Sequence, residues 1–519
     1  MKKNNCTSFL QGFSRFVQWL VGGLFLFLGA VVLLNGLLLP GQYSVVTHFA
    51  MAMVLLGTTA LALLYLNGGI LYRGMSPRLS QTFSSKRTSW AIFGMLLILC
   101  FGIRLAWVLA FQVQPQVDYY TMYHAADCLT EQFDISGIQE DLPRYIALFP
   151  HIFGYSSFLS LIFFAFGTSP MVAAITNVVL STISMAFLYY IGWKLSGRLL
   201  AVLTSLIWCF TPSQIIFNMQ VLSEPYYTTL LLAGAALLLF LRGKLSDWEW
   251  WKLGLGGAIL GAILALANSA RPVSTILIIA MAIVLFVMEP LAKNALVGKK
   301  AVILVCLCVV YFFGNTVNAR LFENRIGEAP ASMPGFNILV GFNPETTGKW
   351  SAEDSELLSQ YSDTEDLSAR EVQGIMLDTA LDRITSGDVN IPKLFYEKLQ
   401  VLWDSDDAAV VYGREGIPHA NGFSALSNGY YYLTWILAMF GLWRLLRKGG
   451  SVLFYLFPLY LVGLTMAHML VEVALRYHYS GIPCLVLLAA LGLQELGKLS
   501  LDRTALLKKG SPRTEKRNA

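Results

Sequence analysis

"FPHIFGYSSFLSLIFFAFG", residues 149–167, decides how this chain folds. The stretch is apolar and long enough to read as a membrane span. If it crosses a bilayer, every later loop changes side; if it lies along one face, none does. The surrounding composition makes the question unavoidable. Of 519 residues, 56% are hydrophobic and 13% charged, about half the charged share of a soluble domain. The chain reads as an all-α, polytopic membrane protein, and a soluble nucleic-acid binder is excluded despite the formal charge of +5.

Apolar runs predict about twelve transmembrane helices, near 18–39, 45–71, 90–112, 169–193, 199–217, 222–241, 253–269, 272–289, 301–317, 428–446, 452–470 and 477–496. The basic amino terminus followed by a long run without a small-residue cleavage site reads as a retained first span. With 149–167 left uncrossed, the basic clusters at 2–15, 73–87, 194–198, 242–244, 293–300, 444–448 and 508–518 all fall on one side. By the positive-inside rule that side is the cytoplasm, which holds both termini. Two polar loops, 113–146 and 318–427, then face outward with 6 and 18 of the 32 Asp and Glu residues against 1 and 8 Lys or Arg. A crossing would scramble this segregation, so 149–167 is expected to be an extracytoplasmic interfacial helix.

The long outer loop carries helix signals of its own. "SAREVQGIMLDTALDRI" opens with Ser368 and Glu371 in capping-box spacing, and Pro392 starts a second helical run. Together they predict a small helical outer cap, in which "WDSDD" at 403–407 reads as a solvated loop. Gly257 and Gly261 have the spacing of a close helix–helix contact. Seven cysteines, mostly inside apolar runs, give no disulfide framework or zinc spacing. The chain divides into an added two-helix segment (1–89), a membrane core with its first outer loop 113–168 (90–317), the outer loop (318–427), the last spans (428–497) and a basic tail (498–519).

Ionisable groups beside apolar spans are costly unless they are paired or line a cavity. Asp118 follows the third span, Glu224 opens the sixth, and Arg271 sits in the turn after the seventh. Glu472, Arg476 and His478 lie before the last span. All fall on the predicted outer face. Tyr119, Tyr120, Tyr226 and Tyr227 beside them have the character of an interfacial aromatic belt. Carboxylates can accept a proton from an attacking hydroxyl or hold a hard divalent cation, and arginines can stabilise a departing phosphate. That combination suits transfer from a lipid-linked phosphate donor.

With the span ending in "QPQVDYY", the segment "LFPHIFGYSSFLSLIFFAFGTSP", "VLSEPYYTTLLLAG", "ANSARPVSTILI" and "LRYHYSGIPCLVLLAALGL" in this order, the sequence resembles the GT-C superfamily of membrane glycosyltransferases. The likeness is to the branch of protein O-mannosyltransferases and aminoarabinose transferases. The resemblance implies a GT-C-like topology and a polyprenyl-phosphate-linked sugar donor. It further implies transfer, with inversion, to an extracytoplasmic acceptor: a cell-envelope polymer, a glycolipid or a protein. It implies that Asp118 is the catalytic carboxylate, Glu224 the second acidic position, and Arg271 and Arg476 the ligands of the donor phosphate. His151, beside Pro150, echoes a histidine-proline element with a metal or acceptor role. A divalent cation, Mg or Mn, held by Asp118 and Glu224, is the implied cofactor. Two other readings fit parts of the sequence. A transporter or flippase of lipid-linked sugars would place ionisable groups near mid-membrane in repeated halves, and an assembly protein would use the acidic cap to bind a partner.

Overall fold

The computed structural model describes residues 2–38, 86–132, 142–289, 294–363 and 366–510, together with 49, 51–53 and 56–57. The chain opens with α1 (Lys2–Leu38) and α2 (Lys86–Ala110), followed by the short α3 (Asp118–Gln132), α4 (Leu142–Leu148) and α5 (His151–Phe166). A membrane bundle continues through α6 (Pro170–Ser196), α7 (Arg198–Phe210), α8 (Pro212–Ile216), α9 (Glu224–Gly243), α10 (Trp250–Ala270), α11 (Ser274–Ala282) and α12 (Asn294–Ile326). Five shorter helices come next: α13 (Gly335–Gly341), α14 (Ala352–Ser362), α15 (Ala369–Thr385), α16 (Ile391–Trp403) and α17 (Ala408–Tyr412). The bundle is completed by α18 (Ala420–Lys448), α19 (Leu456–Leu470) and α20 (Ile482–Gly510).

Eight described helices are long and apolar enough to cross a membrane, or nine if α7 and the Pro212–Met219 segment, bent by 62°, count as one. The sequence reading of about twelve differs from this count for local reasons. The expected span at 45–71 lies largely outside the described residues. The run at 272–289 is interrupted, with α11 giving way to a π-helical turn at Ile283–Met288. The run at 428–446 sits inside the 29-residue α18, whose Ser424, Ser427, Asn428 and Tyr430 dilute its apolar character. At 16 residues, α5 spans only about 24 Å, short of the roughly 30 Å hydrocarbon core.

Close packing follows from small residues at the crossings. A Cβ at Gly257 or Gly261 would overlap the carbonyls of Ile303 or Leu307, so α10 and α12 meet backbone to backbone. Gly441 and Gly492 bring α18 and α20 together in the same way. Gly197 turns the chain between α6 and α7 by itself: at φ 87° it donates to Trp193 O at 3.0 Å while accepting from Ala201 N at 3.2 Å.

The bend at α7 has a chemical cause. Pro212 has no N–H to reach the Trp208 carbonyl one turn back. Thr211 N reaches that carbonyl at 3.3 Å, and Arg104, fully buried in α2, adds a second donor: Nη2 reaches Trp208 O at 2.9 Å and Nη1 reaches Cys209 O at 3.4 Å. Its guanidinium lies over the Trp208 ring.

The five shorter helices form the expected cap. Ser368 and Glu371 make both halves of a capping box at the start of α15, and Asn390 caps α16. Asp354 pairs with Arg383 at 2.8 Å, joining α14 to α15. Arg144 of α4 reaches Glu328 Oε1 at 2.5 Å and Leu367 O at 2.6 Å, fastening the cap to the segment below it. The "WDSDD" stretch corrects the sequence reading of a solvated loop. Asp406 is buried, accepts from Ser213 Oγ at 2.5 Å, and lies 3.0 Å from His478 Nε2.

Candidate functional site

Between cap and bundle lies a cavity of about 1030 Å³, lined among others by Asp118, His151, Arg271, Glu472, Arg476 and Tyr477. Local rules position each group. Asp118 opens α3, where the helix N-terminus favours a carboxylate, directly after Val117, whose φ of 50° is unusual for a β-branched residue. Arg271 precedes Pro272, which disfavours helical geometry at the residue before it, so α10 ends there and Arg271 is extended (φ −154°, ψ 127°). Glu224 begins α9 with Pro225 in the first turn. Arg476 stands in a 3-10 turn after the extended 471–474 break between α19 and α20.

That break would strand backbone polar groups at the edge of the bundle, and the cap satisfies them. Glu472 N donates to Asn337 O at 2.7 Å and Val473 N to Gly348 O at 2.9 Å. Fully buried Lys398 of α16 donates to Met469 O at 2.9 Å, Val471 O at 2.7 Å and Gly341 O at 2.8 Å. The cap therefore sets where Glu472 and Arg476 point.

Arg476 Nη2 donates to Asp118 Oδ2 in an ion pair. The guanidinium is surrounded by the rings of Tyr119, Tyr412 and Tyr477 at 5.3, 5.4 and 5.7 Å. Its Nε is buried without a hydrogen-bond partner among the described residues. Arg271 lies over Tyr477 at 5.4 Å and holds Glu224 Oε1 at 3.3 Å and Ser223 Oγ at 3.4 Å. The two guanidinium groups thus share one tyrosine.

Of the residues singled out from sequence, Asp118, His151, Arg271, Glu472 and Arg476 line this cavity, and His478 does not. Glu224 stands behind Arg271, buried, and is not on the lining. Tyr119, Tyr226 and Tyr227 correct the belt reading: all three are buried, and only Tyr120 is exposed. Tyr226 stacks on Phe158 at 4.2 Å instead of facing a membrane surface. Sequence reasoning missed Tyr412, Lys398 and Asp406, because nothing in their local sequence distinguishes them from ordinary cap residues.

Burial alone would raise the Asp118 carboxyl, but the charge and hydrogen bond of Arg476, with the charge of Arg271, hold it below the usual carboxylate value. Glu472 goes the other way: burial raises it and Asp118 adds to that effect, outweighing Arg476. Burial, helped by Arg271, pulls His151 down to about 3, so the imidazole is neutral at physiological pH. The cavity therefore pushes the carboxyls of Asp118 and Glu472 in opposite directions. Among the described residues, no group of three or more His, Cys, Asp or Glu side chains is placed to hold a metal ion. One carboxylate oxygen of Asp118, Oδ2, is engaged by Arg476.

No family model and no curated protein sequence matches the chain. Among solved structures, it is similar to the archaeal oligosaccharyltransferase AglB from Archaeoglobus fulgidus in complex with an inhibitory peptide and a dolichol-phosphate. That likeness has a TM-score of 0.46 at 11% identity, covering 83% of this chain and 53% of that one. The chain thus spans about half the length of AglB. It is also similar to ArnT from Cupriavidus metallidurans in the apo state (TM-score 0.31, 12% identity, 76% of this chain and 78% of that one) and bound to undecaprenyl phosphate (0.30, 12%, 83% and 82%).

Proposed function

We propose that this chain is an integral-membrane glycosyltransferase that moves a sugar from a polyprenyl-phosphate-linked donor to an extracytoplasmic acceptor. The observation that carries the reading is the Asp118–Arg476 pair on the wall of a cavity shared by an apolar bundle and a polar cap. A donor of this class needs both surroundings at once. The exposed Leu161, Phe164 and Phe166 of α5 offer an apolar flank for the isoprenoid tail, and Arg271 and Arg476 offer the phosphate two cations.

The resting pair implies an exchange. A carboxylate held by an arginine is a weak base. When the donor phosphate takes Arg476 by charge-assisted hydrogen bonds, Asp118 is released and its basicity rises. The acceptor hydroxyl oxygen then bonds to the anomeric carbon as the bond from that carbon to the phosphate oxygen breaks. Its proton passes to Asp118, and polyprenyl phosphate leaves with the electron pair, held by Arg271 and Arg476. A single displacement of this kind inverts the anomeric centre. Glu224 keeps Arg271 extended towards the cavity, and the neutral His151 is suited to orient the acceptor by a hydrogen bond.

Asp118→Asn keeps the shape and removes the base, so transfer from a polyprenyl-phosphate sugar in proteoliposomes should fall by about 100- to 10,000-fold, with membrane insertion unchanged. A variant as active as the parent would sink the mechanism. Movement of the intact donor between leaflets without covalent change would favour a flippase.

A further inference from the structure

The part of the cavity that the cap helix α14 lines is built from different chemistry. Ser355, Ser359 and Ser362 stand four and three residues apart along one face of α14. Asp363 and Asp366 continue that lining, and Trp350, 61% exposed, stands beside it. The Oγ of Ser355 is buried with no hydrogen-bond partner among the described residues. Neither Asp363 nor Asp366 has an ion-pair partner among them. Asp354, the carboxylate of α14 that does have one, points away to Arg383.

We propose that this wall is the acceptor subsite and that the acceptor it takes is an uncharged carbohydrate. This rests on the transferase reading of the cavity. A sugar presents an apolar C–H face and a rim of hydroxyls. A solvent-exposed indole matches the first, offering apolar area at little entropic cost. Short serine hydroxyls and carboxylate oxygens match the second, the carboxylates as acceptors for sugar O–H donors. A phosphate-rich polymer meets the opposite conditions here, since Asp363 and Asp366 repel it and Arg144, the cation beside them, is already engaged by Glu328 and the Leu367 carbonyl. The space is adequate: about 1030 Å³ is at the top of the range of roughly 300–1,000 Å³ for small-molecule pockets, room for a donor sugar and an acceptor residue together. An extended peptide would seek an unpaired strand edge or an apolar groove, and α14 presents neither to the cavity.

The test measures binding without turnover, so it stands apart from the catalytic test. Full-length protein in nanodiscs is titrated calorimetrically with neutral trisaccharides of glucose, galactose and N-acetylglucosamine, with poly(glycerol phosphate), and with a serine- and threonine-rich peptide. At least one trisaccharide should bind. Trp350→Ala should weaken it by roughly tenfold, a loss not attributable to unfolding because the side chain is mostly in solvent. The double variant Asp363→Asn, Asp366→Asn should weaken it by a smaller factor, and Asp118→Asn should bind as the parent does. The proposal is overturned if no trisaccharide binds, if Trp350→Ala binds as tightly as the parent, or if the polyphosphate or the peptide binds more tightly than every trisaccharide. Trisaccharide binding with an Asp118→Asn variant that still transfers would remove the catalytic mechanism and leave the carbohydrate wall standing.

Discussion

Asp118 and Arg476 hold each other in the resting site, and the pairing sets how the proposed transfer should respond to pH. Asp118 lies below the ordinary carboxylate value because Arg476 outweighs the effect of burial. The ionised base therefore persists to lower pH than a free aspartate would allow, and kcat/KM, which reports the free enzyme, should keep its acid limb below the usual carboxylate range. Arg476→Gln removes the opposing cation. Its residual activity should be lower by about 100-fold or more, and the acid limb should move up by roughly one to three pH units. A pH profile whose acid limb does not move would uncouple Asp118 from catalysis. Sequence made Asp118, Arg271 and Arg476 visible because charge beside an apolar span is rare. It hid the surroundings of Arg476. Tyr119, Tyr412 and Tyr477 come from three distant segments, and a tyrosine near a span has the same local signature whether it rests in headgroups or on a guanidinium.

At the scale of elements, the cap and the membrane helices are joined at a few polar points. Lys398 is one: its three donors meet the Gly341 carbonyl in the cap and the Met469 and Val471 carbonyls at the end of α19. Lys398→Met leaves those carbonyls without their donor, and each buried group so stranded costs about 1–3 kcal/mol. The variant should lose on the order of 3 kcal/mol in stability, seen as an earlier thermal transition, and its kcat should fall more than its KM rises, because Arg476 is no longer aimed. Unchanged kcat would make Lys398 a packing residue alone. The Asp406–His478 contact is another such point. The imidazole lies between the rings of Trp403 and Tyr431, with Nδ1 2.6 Å from the Leu402 carbonyl. A carbonyl can only accept, so Nδ1 carries the proton. Helix starts in the cap were legible, because Ser368 with Glu371 and Asn390 before Pro392 are local signals. The burial of Lys398 and Asp406 was not, because it depends on residues roughly 70 or more positions away, such as Met469 and His478.

For the molecule as a whole, the sequence reading depends on which side the cap faces. If 149–167 lies along the outer face, the cap and the cavity are extracytoplasmic and the loop between α9 and α10 is cytoplasmic. Ser359→Cys on α14 and Ser246→Cys in that loop place single thiols at exposed positions. In intact cells a membrane-impermeant maleimide should label Ser359→Cys above the parent background and leave Ser246→Cys at it; the reverse pattern would invert the topology. The all-helical membrane architecture was readable from apolar run length, and the span count less so. A break such as that at Pro212 depends on whether another helix can satisfy the freed carbonyl, and run length carries no sign of that.

Arg104 has a consequence for how the protein is made. Its acceptor carbonyls at Trp208 and Cys209 lie 104 and 105 residues further along the chain, so α2 reaches the bilayer long before its partners are synthesised. A bare arginine inside a span disfavours insertion by about 2.5–3.5 kcal/mol on translocon scales when central. The hydrogen bonds that satisfy Arg104 form only once α7 arrives, so the bent helix that shapes the mature bundle also completes the polar pairing of one delivered earlier.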